Sequence, residues 1–140
     1  MIDSEKFTKA IELFDAANAS DPNKEIVGGK EFPKEFLYAE RMTQQLNAFA
    51  PDSSEALQLT VRCQHICRWE IPRDSYEMNR AGYLNWRKDL KDFHAKKASE
   101  ILKSIDYDAQ TVADVAFLLL KKRTFTVIVS LFCAAVCCAV

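Results

Sequence analysis

Apolar residues recur every three or four positions through most of this chain, and that spacing predicts helices rather than strands. Phe7, Ala10, Ile11, Phe14 and Ala17 mark one face of a first helix over residues 5–19, which Asp3 or Ser4 can cap. Asp21-Pro22-Asn23 ends it, and Gly28-Gly29 marks a turn in a polar loop. Pro33 suits the first position of a second helix, with Phe36, Leu37, Thr43, Leu46 and Phe49 turned inward and Pro51 as its stop. Asp52 or Ser53 can cap a third helix over residues 54–69, with Glu55 closing a capping box if Asp52 is the cap. Leu57, Leu59, Val61, Cys63, Ile66 and Cys67 make that segment apolar on more than one face, which predicts a central position. A loop over residues 70–79 leads to the longest helix, residues 80–105, whose inward stripe is Tyr83, Trp86, Leu90, Phe93, Ala98, Ile101 and Leu102. Asp106 or Asp108 caps a fifth helix through Val112, Val115, Leu118 and Leu119, ending in Lys121-Lys122-Arg123, cations that suit a helix C-terminus. The expected fold is all-α, a compact bundle of about five helices with no β-sheet of its own.

Composition agrees with that picture. The chain has 140 residues, enough for one domain with a real core and no disulfide staples, and only three glycines and four prolines with which to turn. Nineteen basic residues stand against twenty acidic ones, a net charge of −1, so there is no overall basic excess of the kind nucleic-acid binders show. Met1-Ile2-Asp3-Ser4-Glu5 has neither the basic nor the apolar region of a secretory signal. Five cysteines, three of them within the last eight residues, do not make a disulfide framework, and a reducing, cytoplasmic location is expected.

The last stretch is different in kind. Residues 124–140, TFTVIVSLFCAAVCCAV, carry no charge, no amide, no glycine and no proline. Seventeen residues is near the short limit for crossing a bilayer, and the three preceding cations would flank such a span on its cytoplasmic side. Three readings stay open: a membrane anchor, a buried final helix, or sequence foreign to the fold. The domain proper is therefore placed at residues 1–123, with 124–140 as an atypical apolar tail.

Candidate chemistry centres on the two histidines. His94 lies four residues after Leu90 and four before Ala98, so it faces the same way as the core stripe, and His65 follows Val61 by about one turn. Both would converge if the third and fourth helices pack, and neutral imidazole is a common metal ligand. Glu40 shares a helix face with Phe36 and Thr43, where a carboxylate is costly unless paired or metal-bound. A divalent metal held by Glu40, His65 and His94 is one expectation; a buried hydrogen-bonded cluster in a non-catalytic binding or scaffold module is the other. Cys63 and Cys67 share a helix face away from His65 and read as small core residues. Arg68, Arg73, Arg80, Arg87 and Lys88 interleave with Trp69, Tyr76, Tyr83 and Trp86, a mixture that suits phosphate clamping and ring stacking, or a solvated face with core aromatics between. No Gly-rich phosphate loop, GxSxG, HExxH or CxxC is present.

The strings FDAANASDPN, LYAERM, QHICRWEIPRDSY, MNRAGYLNWRKDLKDFHAKKASEIL and VAFLLLKKR resemble the helical family catalogued as domain of unknown function 4202, across nearly all of residues 5–123. That family in turn resembles divergent HD-domain phosphohydrolases, in which helical histidines and aspartates bind metals that activate water. The resemblance implies an HD-like fold and a metal-dependent phosphohydrolase acting on a phosphorylated small molecule or nucleotide. Glu40 then stands in the place of the first histidine, His65 matches the histidine of the dyad, and His94 matches the later one. Glu70 becomes a general base or further ligand, and Arg73, Arg80 and Arg87 neutralise the phosphate. Ile66 stands where the dyad has its aspartate. The family continues after its LLLKKR-like segment with a polar, acidic stretch and another helix; here the apolar tail takes that place, which implies an incomplete and inactive copy.

Overall fold

The computed structural model describes residues 4–120. Five helices account for most of them: α1, Ser4–Asn18; α2, Lys34–Phe49; α3, Glu55–Cys63; α4, Arg80–Ser104; and α5, Ala109–Leu120. Helices α1, α3, α4 and α5 enclose the main core, where Phe14, Leu59, Ile66, Leu102 and Val115 lose essentially all contact with solvent. A smaller cluster of Met42, Leu46 and Val61 fastens α2 to α3. The all-α expectation holds for the body of the molecule.

Two elements differ from the sequence reading. The polar loop after α1 is an antiparallel hairpin, β1 (Lys24–Val27) paired with β2 (Lys30–Pro33), so the described chain does have a small sheet. Gly28 and Gly29 both take positive φ, 58° and 78°, the backbone that a tight two-residue turn between right-twisted strands demands. With Ile26 and Val27 both exposed, the strands carry no alternating apolar pattern that would reveal them. The third helix also stops early, at Cys63 rather than near residue 69. The chain leaves it through a turn at residues 64–67, in which Cys67 adopts the left-handed conformation at φ 52° and its amide donates to Asn18 Oδ1 at 3.0 Å. A buried side chain of α1 therefore ends α3, and His65 lies in a turn rather than in a helix.

Local chemistry accounts for the helix boundaries. Ser54 Oγ accepts from the Leu57 amide at 3.2 Å, so Ser54 caps α3, one or two positions after the expected cap, and Glu55 instead accepts from the Tyr107 hydroxyl. Asn79 caps α4 through the Gly82 amide at 2.7 Å. Asp106 and Asp108 divide the next junction between them. Asp106, at φ 58°, closes α4, with the Tyr107 amide on the Leu102 carbonyl and the Asp106 amide on that of Lys103. Asp108 then opens α5 by accepting from the Thr111 amide at 2.9 Å. Helix α2 begins at Pro33, which offers no side-chain cap. Its first-turn amide, that of Glu35, is taken instead by the buried carboxylate of Asp21, 2.9 Å away, which also accepts from the Asn23 amide at 2.8 Å. A two-pronged ion pair joins α1 to α3: Arg62 Nε and Nη2 donate to the two Asp15 carboxylate oxygens at 2.8 and 2.7 Å, while Arg62 Nη1 reaches Thr43 on α2.

Among the described residues no helix is long and apolar enough to cross a membrane. Residues 124–140, on which the membrane-anchor reading falls, lie outside the described residues.

Candidate functional site

Arg87, Lys91 and His94 are spaced four and three residues apart, so α4 carries them on one stripe beside Leu90. That stripe faces Thr60 on α3, the turn bearing Gln64, His65 and Arg68, and Leu118 and Leu119 at the end of α5. Together these residues enclose a cavity of about 30 Å³. His94 is 5% exposed. The rings of His65 and His94 are tilted toward one another with centroids 6.2 Å apart. The two imidazoles thus converge as the sequence suggested.

His65 is held from three sides. Tyr38 stacks on its ring at 4.1 Å and 7°; Glu35 Oε2 lies 3.4 Å from Nδ1; and Arg68 Nη1 lies 3.4–3.5 Å from both ring nitrogens. Glu35 and Tyr38 are three residues apart on α2 and so share the face turned to His65. Glu40 lies roughly 160° round the helix from Tyr38 and belongs to a different face. The carboxylate in contact with His65 is Glu35.

The remaining expected residues are distributed differently from one another. Arg87 lines the cavity. Arg73 does not: its guanidinium donates to the carbonyls of Glu77 at 2.9 Å and Asn79 at 3.3 Å, fastening the loop before α4. Arg80 is exposed at the first position of α4. Glu70 is exposed and paired with Lys97 Nζ at 3.3 Å. Cys63 and Cys67 are buried, and burial pushes both thiols up, Cys63 far up, which fits small core residues and not nucleophiles. The sequence reading missed Glu35, Tyr38, Gln64 and Lys91, and named Arg68 only among the basic residues suited to clamping a phosphate. For Lys91 a signal existed, since it shares the Arg87–His94 stripe.

The electrostatic character of the cavity follows from this inventory. Arg68, Arg87 and Lys91 line it, no carboxylate does, and none of the three enters an ion pair among the described residues. Gln64, 6% exposed, turns an amide nitrogen toward this buried region with no hydrogen-bond partner among the described residues. Such a surface attracts an anion and repels a cation. Among the described residues no group of three or more His, Cys, Asp or Glu side chains is placed to hold a metal ion. His65 and His94 approach one another, and helix spacing sets Glu40 on a different face of α2 from Tyr38, which stacks on His65.

A family model described as a domain of unknown function, DUF4202, matches residues 8–126. The chain belongs to this family. The matched span takes in every residue of the cavity, so the DUF4202 domain and the candidate site coincide. Neither the curated proteins nor the solved structures offer a match to this DUF4202 chain. None of these comparisons shows a relation to the HD-domain phosphohydrolases.

Proposed function

We propose that this DUF4202 domain binds a phosphorylated small molecule, with the phosphate in the cavity between α3, α4 and α5. One observation carries the reading: three basic side chains, Arg68, Arg87 and Lys91, line the recess, and the one carboxylate described beside it is Glu35, which lies behind His65. A phosphate would supply the missing charge and accept from the guanidinium forks, interactions stronger than neutral hydrogen bonds. Gln64 offers a further donor at the same wall, its amide nitrogen having no partner among the described residues. Hydrolysis of the phosphoester is a second reading, favoured by the Glu35–His65 pair. A carboxylate 3.4 Å from one ring nitrogen orients the imidazole, as a proton-transfer group requires.

Calorimetric titration with glycerol 3-phosphate and with glycerol tests the binding. The ester should bind and the alcohol should not, and the double variant Arg87→Ala/Lys91→Ala should lose at least about tenfold in affinity while keeping its helical circular dichroism. Equal heats for ester and alcohol would remove the proposal. Release of inorganic phosphate from the bound ester, followed with and without added Mg²⁺ or Mn²⁺, decides between binding alone and hydrolysis.

A further inference from the structure

The narrow cavity is small. At about 30 Å³ it has space for roughly two water-sized groups, so phosphoryl oxygens can enter it but the rest of a ligand cannot. On the other side of Arg68 lies a second, wider recess of about 300 Å³, in the size range of small-molecule sites. Arg68 lines both spaces, and its guanidinium spans them: one face of the contact is His65 at 3.4 Å, the other the Trp86 ring, 5.1 Å from the guanidinium carbon. The wider recess is of mixed character, with Trp69, Ile71, Pro72 and Trp86 as its apolar wall and Asn23, Lys34, Glu35, Arg68 and Arg73 around it. Trp86 is held firmly, its indole nitrogen donating to the Ile71 carbonyl at 2.8 Å.

We infer that the two recesses form one bipartite site, whose ligand is a phosphate monoester of a flat aromatic group: phosphate beside Arg68, Arg87 and Lys91, ring against Trp69 and Trp86. This rests on the phosphate reading above and adds the identity of the group that the phosphate carries. Trp69, half-buried, provides stacking area that an aliphatic ester cannot use, and the buried Trp86, with Arg68 and Arg73 over its ring, backs the recess with guanidinium planes that an aromatic ring can also meet.

The chain has two tryptophans, Trp69 and Trp86, and both line the wider recess, so intrinsic emission reads this space directly. The full chain is titrated with phenyl phosphate, glycerol 3-phosphate and inorganic phosphate, by calorimetry and by tryptophan fluorescence. Phenyl phosphate should bind about tenfold more tightly than the other two, and it should be the one that changes the emission strongly. Trp69→Leu, checked by circular dichroism for an unchanged fold, should erase that preference and leave inorganic phosphate binding within about twofold. If all three probes bind alike and emission stays constant, the aromatic subsite is overturned while the phosphate cavity stands. If none binds, both readings fall. Phenol is titrated as a control: if it binds as well as phenyl phosphate, the recess is an aromatic site unconnected to the cavity, and the bipartite site is overturned.

Discussion

Glu35 and Glu40 show how much one residue's orientation decides. Both are glutamates on α2, and the choice between them depends on how the helix is rotated about its axis. That rotation is set by Met42 and Leu46 packing on Val61 and by Tyr38 stacking on His65, contacts that join segments far apart in sequence. Spacing along α2 says which residues travel together, and it correctly keeps Glu40 with Phe36 and Thr43, but it does not say which face meets the histidines. His94 was legible because Leu90 and Ala98, one turn before and after it, are buried apolar residues on the same face. At the same scale Gly82 is fixed by close approach: a Cβ there would lie 2.0 Å from the Glu77 carbonyl oxygen, a backbone atom that cannot rotate away. Gly82→Ala should therefore destabilise the fold by about 1–3 kcal/mol despite alanine's better helix propensity. Urea unfolding measures this, and an unchanged or raised midpoint would show that the loop before α4 yields without cost.

At the scale of elements, the amphipathic helices α1, α2, α4 and α5 were readable from periodicity, and the two misjudged elements have definite physical causes. The run Leu57–Cys67 stays apolar after the helix ends, because Ile66 and Cys67 are buried by a turn that Asn18 anchors from another helix. Continuous burial looks like continuous helix in a sequence. The hairpin escaped notice because its four-residue strands bury almost nothing; what defines it is the paired glycine turn and the bond network of Asp21. That network is testable. Asp21→Ala would strip the acceptor from the amides of Asn23 and Glu35 inside the protein, at a cost of about 2–3 kcal/mol. Amide exchange at Glu35 should accelerate in step with the fall in stability; exchange left at its original rate would show that Pro33 alone starts α2. Asp108 gives a pH dependence at the start of α5. The Thr111 amide, then its hydroxyl, donates to this carboxylate and holds its pKa below the ordinary 3.8. A depressed folded value means stabilisation that is complete above 3.8 and lost as pH falls through the folded value. The stability gap between the native chain and Asp108→Ala should accordingly be constant at neutral pH and close in the acid range below about 4, as followed by thermal unfolding at stepped pH.

For the whole molecule, the site is a junction product. α2 brings Glu35 and Tyr38, the turn after α3 brings Gln64, His65 and Arg68, α4 brings Arg87, Lys91 and His94, and α5 closes the wall with Leu118 and Leu119. Any anion that occupies the cavity must therefore favour the assembled bundle over the open chain. At a phosphate-ester concentration of about 100 times the dissociation constant, the gain in unfolding free energy should be about 2.7 kcal/mol, visible as a raised melting temperature. The same addition should leave the melting temperature of the Arg87→Ala/Lys91→Ala chain where it was; an equal rise in both would trace the effect to general salt action instead.

Arg68 has a single guanidinium and two neighbours competing for it, the His65 ring and the face of Trp86. A group drawn fully toward the imidazole must leave the indole, giving up an attraction of about 0.5–2 kcal/mol. The two compartments are joined through one side chain, and a change in how Trp86 holds Arg68 alters how the guanidinium is presented to an oxyanion. Discrimination among ligands could thus be retuned from the indole side, by changing how avidly that ring retains its cation, without altering any side chain that meets the phosphate.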